Sequence, residues 1–242
     1  MIQITFKLLQ GDCLELMKDI PDSSIDMILC DLPYGTTKCK WDSIIPIENL
    51  WNEYDRIIKD NGAILLTAIP PFSANVANGY LKNFRYSWYW KKSHTGQLNS
   101  HRMPLKNVEE ILVFYKKQPT YNPQFTTGKP YTINRKNYKG SECYSDQKDH
   151  TTINDGKRFP MQILEYKTPK KRYHPTQKPV SLLEYLIKTY TNKGETVLDN
   201  CMGSGSTGIA CINTGRDFIG MELDKKYFEI AKQRIEEHKL KI

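Results

Sequence analysis

Thr196-Val197-Leu198-Asp199-Asn200-Cys201-Met202-Gly203-Ser204-Gly205-Ser206-Thr207 carries the signal on which the fold assignment rests. Thr196–Leu198 has the apolar, β-branched make-up of a short buried strand, and Ser204–Asn213 continues as a helix. Gly203 and Gly205 between them let the backbone turn sharply and approach a ligand closely. The helix start offers unpaired N–H groups to an electron-rich partner. The next strand, Phe218–Met221, ends at Glu222, where a carboxylate can take both hydroxyls of a ribose. A glycine pair alone often serves only helix–strand packing; the acidic residue after the following strand turns the reading towards a nucleoside. The loop has no Lys of the phosphate-cradling kind, which argues against a nucleoside triphosphate.

The same alternation extends towards both ends. Ile4–Leu9 reads as a strand stopping at Gly11-Asp12, Leu14–Ile20 as a helix ended by Pro21, and Ile25–Cys30 as an apolar strand. A helix is expected over Ile47–Lys59 with Asn61-Gly62 as its stop, then a buried strand at Ala63–Ala68. Val180–Tyr190 is amphipathic, and Lys225–His238 is a helix rich in charged pairs. Strands alternating with helices predict an α/β fold, a doubly wound, mostly parallel sheet covered on both faces. Tyr86–Trp90 and Ile111–Tyr115 read as strands, whereas 118–172 is polar and punctuated by Gly, Pro, Asn and Lys, the pattern of a long functional segment.

Composition narrows the class. The 242 residues, 39% hydrophobic and 11% aromatic, are enough for a core and exclude wholesale disorder. No run approaches the roughly 18 to 20 apolar residues of a membrane span, and no signal-peptide pattern opens the chain. The six cysteines contain no CxxC pair, which suits neither a disulfide framework nor a zinc site; reduced thiols and no metal are expected.

The net charge of +8 is unevenly spread. Residues 1–84 carry 7 basic and 11 acidic side chains, 85–180 carry 19 and 7, and 181–242 carry 9 of each. A basic middle between acidic and neutral ends reads as a polyanion-binding insertion. Trp88, Trp90 and nine tyrosines in that middle suit stacking on bases, or else form core.

A second motif, Asp31-Leu32-Pro33-Tyr34, follows the strand Ile25–Cys30. A carboxylate, carbonyls left free around a proline without an N–H, and a tyrosine ring make a pocket for a planar amine. An ordinary strand-end turn is the alternative.

Together these motifs resemble the amino-methylating DNA methyltransferases, which transfer a methyl group from S-adenosylmethionine to N6 of adenine or N4 of cytosine. The base motif of that family, Asp/Asn/Ser-Pro-Pro-Tyr/Phe, stands here as Asp31-Leu32-Pro33-Tyr34, and its cofactor motif as Asp199 to Ser206. His174-Pro175-Thr176-Gln177-Lys178-Pro179 resembles the segment that holds the methionine carboxylate, and Gly11-Asp12 the position that contacts the cofactor's adenine. The order is that of the subclass with the base motif first, the target-recognition region next and the glycine motif last. Leu32 departs from the first Pro of the base motif, and Asn200-Cys201 from a Pro-Phe pair beside the cofactor.

The resemblance implies a permuted Rossmann-like sheet built from both chain ends, residues 1–84 and 173–242, with strands plus a basic target-recognition insertion over 85–172. It implies Asp31, Pro33 and Tyr34 as catalytic residues that hold a flipped adenine, with the Asp31 carboxylate and the Pro33 carbonyl on its amine. Asp at position 31 favours adenine; N4-cytosine is the alternative, followed by RNA or a glutamine side chain, and by a non-enzymatic DNA-binding scaffold. Cofactor contacts are implied for Asp12, Cys30, Asp31, Thr176, Gln177, Lys178, Asp199, Cys201, Gly203, Ser204, Gly205, Ser206 and Glu222. Lys91, Lys92, Arg102, Lys170, Lys171 and Arg172 are candidates for phosphate contact. Double-stranded DNA is the expected partner, with a homodimer and a cognate restriction nuclease as further family partners.

Overall fold

Two-residue periodicity in the central strands places helices on both faces of a sheet. In β2 (Ile25–Asp31), Ile28 and Cys30 enter one core, whereas Met27 and Leu29 enter the other. The next strand, β3 (Ile58–Ala68), divides likewise, with Ile64 and Leu66 opposite Ala63 and Leu65. The first core is closed by α1 (Cys13–Met17), α2 (Ile47–Ile57) and α3 (Phe72–Gly79). The second is closed by α4 (Val180–Tyr190), α5 (Ser206–Thr214) and α6 (Lys225–Lys239). The structure is a computed structural model that describes residues 4–35, 42–93, 100–137, 139–143, 145–146 and 148–241.

Further strands flank these two: β1 (Phe6–Gln10), β11 (Thr196–Asp199) and β12 (Asp217–Glu222) on one side, and β4 (Phe84–Lys92) beyond on the other. With β5 (Val108–Phe114) and β10 (Ile163–Tyr166) they make an eight-stranded sheet of order β1-β12-β11-β2-β3-β5-β4-β10. Among the described residues, only β5 runs antiparallel to its neighbours; the other pairings in this sheet are parallel. Pairing of β1 with β12 and of β11 with β2 joins the two ends of the chain in one sheet. From β2 the chain winds outward through α2 to β3; from β11 it winds the other way through α5 to β12. The crevice between β2 and β11 is therefore the topological switch point, where ligands of doubly wound sheets bind.

The strands expected in the basic middle belong to the main sheet. Trp88, Trp90, Ile111, Val113 and Leu164 are buried in the second core, so β4, β5 and β10 extend the main sheet. The chain divides into two compact units, Met1–Asn122 with Gln162–Ile242, and Pro123–Met161, rather than at 85 and 172. The smaller unit holds two ribbons. One pairs β6 (Thr126–Thr127) with β9 (Lys157–Arg158); the other pairs β7 (Tyr131–Arg135) with β8 (His150–Asn154). Trp88 and Trp90 are structural rather than base-stacking residues: their indole N–H groups donate to the Tyr190 hydroxyl (2.6 Å) and the Tyr166 carbonyl (2.9 Å).

Local differences have local causes. The helix α2 ends at Ile57 and passes directly into β3, so Asn61-Gly62 lies in a strand, at a register shift between the Ile25 and Met27 pairings. The glycine motif enters its helix two residues later than the sequence pattern suggests, after Gly205 in the left-handed region at φ 77°.

Candidate active site

Six neighbouring strands of the main sheet, β1, β12, β11, β2, β3 and β5, bring a polar group to one edge. Parallel strands do so at their C-terminal ends: Asp12 follows β1, Asp31 ends β2, Thr67 lies next to the end of β3, Asp199 ends β11 and Glu222 ends β12. Because β5 is reversed, its N-terminal residue pair brings Glu109 to the same edge, opposite Trp90 of β4. A cavity of 260 Å³ opens there.

One end of the cavity is formed by the glycine loop. The Glu222 side chain is nearly buried and accepts the Gly203 N–H through Oε2 and the Asp224 N–H through Oε1, each at 2.8 Å. Burial pushes its carboxyl up, and those two backbone donors partly offset the shift. Asp12 caps α1 by accepting the Leu14 N–H at 2.8 Å, and it also lines the cavity. Asp199 is buried, accepts the Thr207 hydroxyl at 2.6 Å and the Cys201 N–H at 3.1 Å, and is pushed by burial to about 7. Ser204 and Ser206 line the cavity, whereas Gly205 packs beneath it: a Cβ there would lie 3.0 Å from the Ala231 Cβ. Among the described residues, the Ser206 hydroxyl is buried without a hydrogen-bond partner.

The two departures from the family pattern are internally satisfied. Leu32 is core. Asn200 accepts the Tyr54 hydroxyl at 2.6 Å, and its amide nitrogen lies 3.5 Å from Cys13 Sγ and 3.6 Å from Cys201 Sγ. Cys13, Cys30 and Cys201 all line the cavity; burial pushes the Cys30 thiol up to about 12.

At the other end stands a network centred on Asp31. Its Oδ1 accepts the Tyr34 hydroxyl at 2.7 Å and also the Thr67 hydroxyl; its Oδ2 accepts the Lys178 ammonium at 2.5 Å. Lys178 is buried and lies 2.9 Å from Glu109 Oε1, and Lys92 reaches Glu109 Oε2 at 2.5 Å. Burial works against the Lys178 charge, but Asp31 and Glu109 outweigh it and raise its pKa above the ordinary lysine range. Burial likewise works against the Glu109 charge, and Lys178 and Lys92 together hold it below the usual carboxylate range. The Tyr34 hydroxyl is pushed up, first by burial and then by Asp31 and Glu109.

Among the candidates for the cofactor, Thr176, Gln177 and Lys178 reach the cavity together. Gln177 also braces its own loop by accepting the Tyr173 N–H at 2.9 Å, and His174 packs edge-on against Tyr227 at 4.2 Å between centroids. The phosphate candidates separate. Lys92 belongs to the Glu109 network and Lys91 pairs with Glu165 at 2.8 Å, whereas Arg102, Lys170, Lys171 and Arg172 are exposed. Glu109 escaped the sequence reading because the strand expected at Ile111–Tyr115 begins three residues earlier; the signal was an acidic residue opening an apolar run in the basic middle.

A sheet whose switch point carries a glycine loop on β11 and Asp-Leu-Pro-Tyr on β2 defines the amino-methyltransferase class. The DNA methylase family of N6/N4 methyltransferases matches residues 25–233, and the chain belongs to that family. It is 25% identical to the type II methyltransferase M.HpaI of Haemophilus parainfluenzae over 95% of this chain and 74% of that protein. It is 28% identical to the DNA adenine methyltransferase YhdJ of Escherichia coli K12, over 95% of this chain and 82% of that one. The crystal structure of the M1.HpyAVI–SAM complex aligns with a TM-score of 0.66 and 26% identity, covering 95% of this chain and 100% of that one. The cytosine-N4-specific PvuII DNA methyltransferase shares the fold, with a TM-score of 0.69 at 15% identity over 97% of this chain and 91% of that one.

Proposed function

We propose that this protein is a DNA methyltransferase that transfers the methyl group of S-adenosylmethionine to N6 of an adenine in DNA. The observation that carries the reading is the joining of Asp31, Tyr34 and Lys178 with the glycine loop and Glu222 in one cavity at the switch point. The cavity suits the methyl donor chemically. Glu222 and Asp12 are carboxylates for hydroxyl and amine donors, the Ser206 hydroxyl is a buried group in want of a partner, and Lys178 is a cation for a carboxylate. When bound, the cofactor supplies a methyl group already activated on a cationic sulfur.

The chain's own residues then have three tasks. Asp31 would accept a hydrogen bond from the target amine through Oδ2, with Lys178 holding the cofactor's carboxylate, and so would favour a nitrogen with a localised lone pair. Its charge also faces the positive charge that grows on that nitrogen, which is binding specific to the transition state. Tyr34 and Thr67 hold Oδ1 and thereby fix the orientation of the carboxylate. The Tyr34 ring and the Pro33 segment line the pocket that receives the flipped base. Adenine is favoured over cytosine by the aspartate at position 31 and by the adenine-specific relative YhdJ. Within the larger unit, the exposed Arg102, Lys170, Lys171 and Arg172 are assigned to DNA phosphates; the smaller unit, Pro123–Met161, is by itself a separate candidate for DNA contact. A homodimer, implied by the family, is checked by light scattering in solution; pairing with a restriction nuclease is checked by methylation-sensitive cleavage in the source genome.

Incubation with a labelled methyl donor and duplex DNA, then nucleoside mass spectrometry and methylation-sensitive sequencing, tests the reading. N6-methyladenine in a fixed sequence context is expected. N4-methylcytosine would reassign the base, and no label in DNA would refute the function.

A further inference from the structure

The network around Asp31 contains more charge than an amine pocket needs. Two ammonium groups, Lys178 and Lys92, meet two carboxylates, Asp31 and Glu109, in an unbroken series of contacts of 2.5 to 2.9 Å. Glu109 is 4% exposed and bridges both lysines through separate oxygens. Its Oε1 also lies 3.2 Å from the Tyr34 hydroxyl. Burying an ion pair is costly compared with packing apolar side chains, so a doubly bridged carboxylate at the reacting edge calls for a chemical reason.

We propose that Glu109 is a positioning residue for methyl transfer: by sharing the Lys178 ammonium and neutralising Lys92, it keeps the Asp31 carboxylate available to the target amine. The proposal rests on the functional reading given above. With Glu109 in place the four groups sum to zero charge, and Lys178 is divided between two carboxylates. Without that carboxylate, two cations face Asp31 alone. Lys178 is then held by Asp31 only, at the oxygen the amine must reach. The surplus positive charge also opposes the charge developing on the amine, at short range and away from bulk water. The reversed direction of β5 makes the arrangement possible, since a parallel strand would carry its first residues to the opposite edge of the sheet.

Glu109→Gln keeps the shape and an acceptor for Tyr34 but removes the charge. The full-length variant is assayed for kcat and KM on duplex DNA, for S-adenosylmethionine affinity by calorimetry and for melting temperature. The expected result is a kcat lowered at least tenfold, with cofactor affinity and KM within threefold of wild type. The double variant Lys92→Met, Glu109→Gln pairs one cation with one carboxylate again and is expected to recover the part of that loss that comes from the surplus charge, at least threefold. A Glu109→Gln enzyme with wild-type kcat overturns the proposal, as does a loss matched in affinity and melting temperature. A double variant no faster than the single one also overturns it. If Glu109→Gln does not fold, the double variant decides: recovered activity supports the proposal, whereas inactivity or failure to fold overturns it. Absence of methyl transfer by the wild-type protein would instead refute the functional reading.

Discussion

Asp199→Asn removes a carboxyl that burial holds at about 7, against an ordinary value of 3.8. Because the folded protein takes up this proton at a pH where the unfolded chain has lost it, the group's stabilising contribution is complete below 3.8. It is lost as the pH rises through about 7. At about 1.4 kcal/mol for each pH unit between the two values, the whole loss is about 4 kcal/mol, and about 3 kcal/mol of it falls between pH 5 and pH 8. The amide that replaces the carboxyl has no proton to exchange. It can still donate to the Thr207 hydroxyl and accept the Cys201 N–H, the two partners Asp199 now holds. Urea unfolding of wild type and variant over this range, in the same buffers, isolates the contribution as a difference of free energies. The variant is expected to gain about 3 kcal/mol on the wild type from the acid to the alkaline end. A difference that is flat, or that slopes the other way, would show that the loop around Asp199 admits enough water to keep the carboxylate charged.

Asp31→Ala is expected to abolish methyl transfer in the labelled-donor assay while leaving S-adenosylmethionine affinity within a few-fold, since Lys178 keeps Glu109 as a partner. Glu222→Gln should weaken cofactor binding by about tenfold in calorimetry and cost about 1 kcal/mol in unfolding, because one of the Gly203 and Asp224 N–H groups loses its carboxylate acceptor. Gly205→Ala forces a side chain into the left-handed region at φ 77° and against Ala231, and is expected to destabilise the fold by about 1 to 2 kcal/mol in the same measurement. Replacing Lys170, Lys171 and Arg172 with alanine should flatten the plot of log affinity for duplex DNA against log salt by about 3, close to 0.9 for each phosphate no longer neutralised; an unchanged slope would remove this segment from the DNA surface.

The elements at the chain ends were legible because their signals are local. Gly11 after β1 and Gly203 and Gly205 after β11 take positive φ, which favours glycine, and Asp31 to Tyr34 close β2 with a polar residue and a proline. The middle was less legible. Its aromatic and basic residues read as a DNA surface, yet Trp88 and Trp90 are core and Lys92 is an ion-pair partner. Side-chain type cannot distinguish a solvated lysine from one facing a buried carboxylate, nor a stacking tryptophan from a packed one.

Local chemistry along the chain was enough to specify which residues end each strand of the cofactor half, the alternation that makes the sheet two-sided, and the family. These depend on turn chemistry and apolar period, which act within a few residues. The reversal of β5 belongs to the folded molecule alone, and with it the meeting of Glu109, Lys92, Lys178 and Asp31 from four separated parts of the chain. Strand direction depends on how segments distant in the chain pair, and the charges it brings together interact strongly only once burial has excluded water.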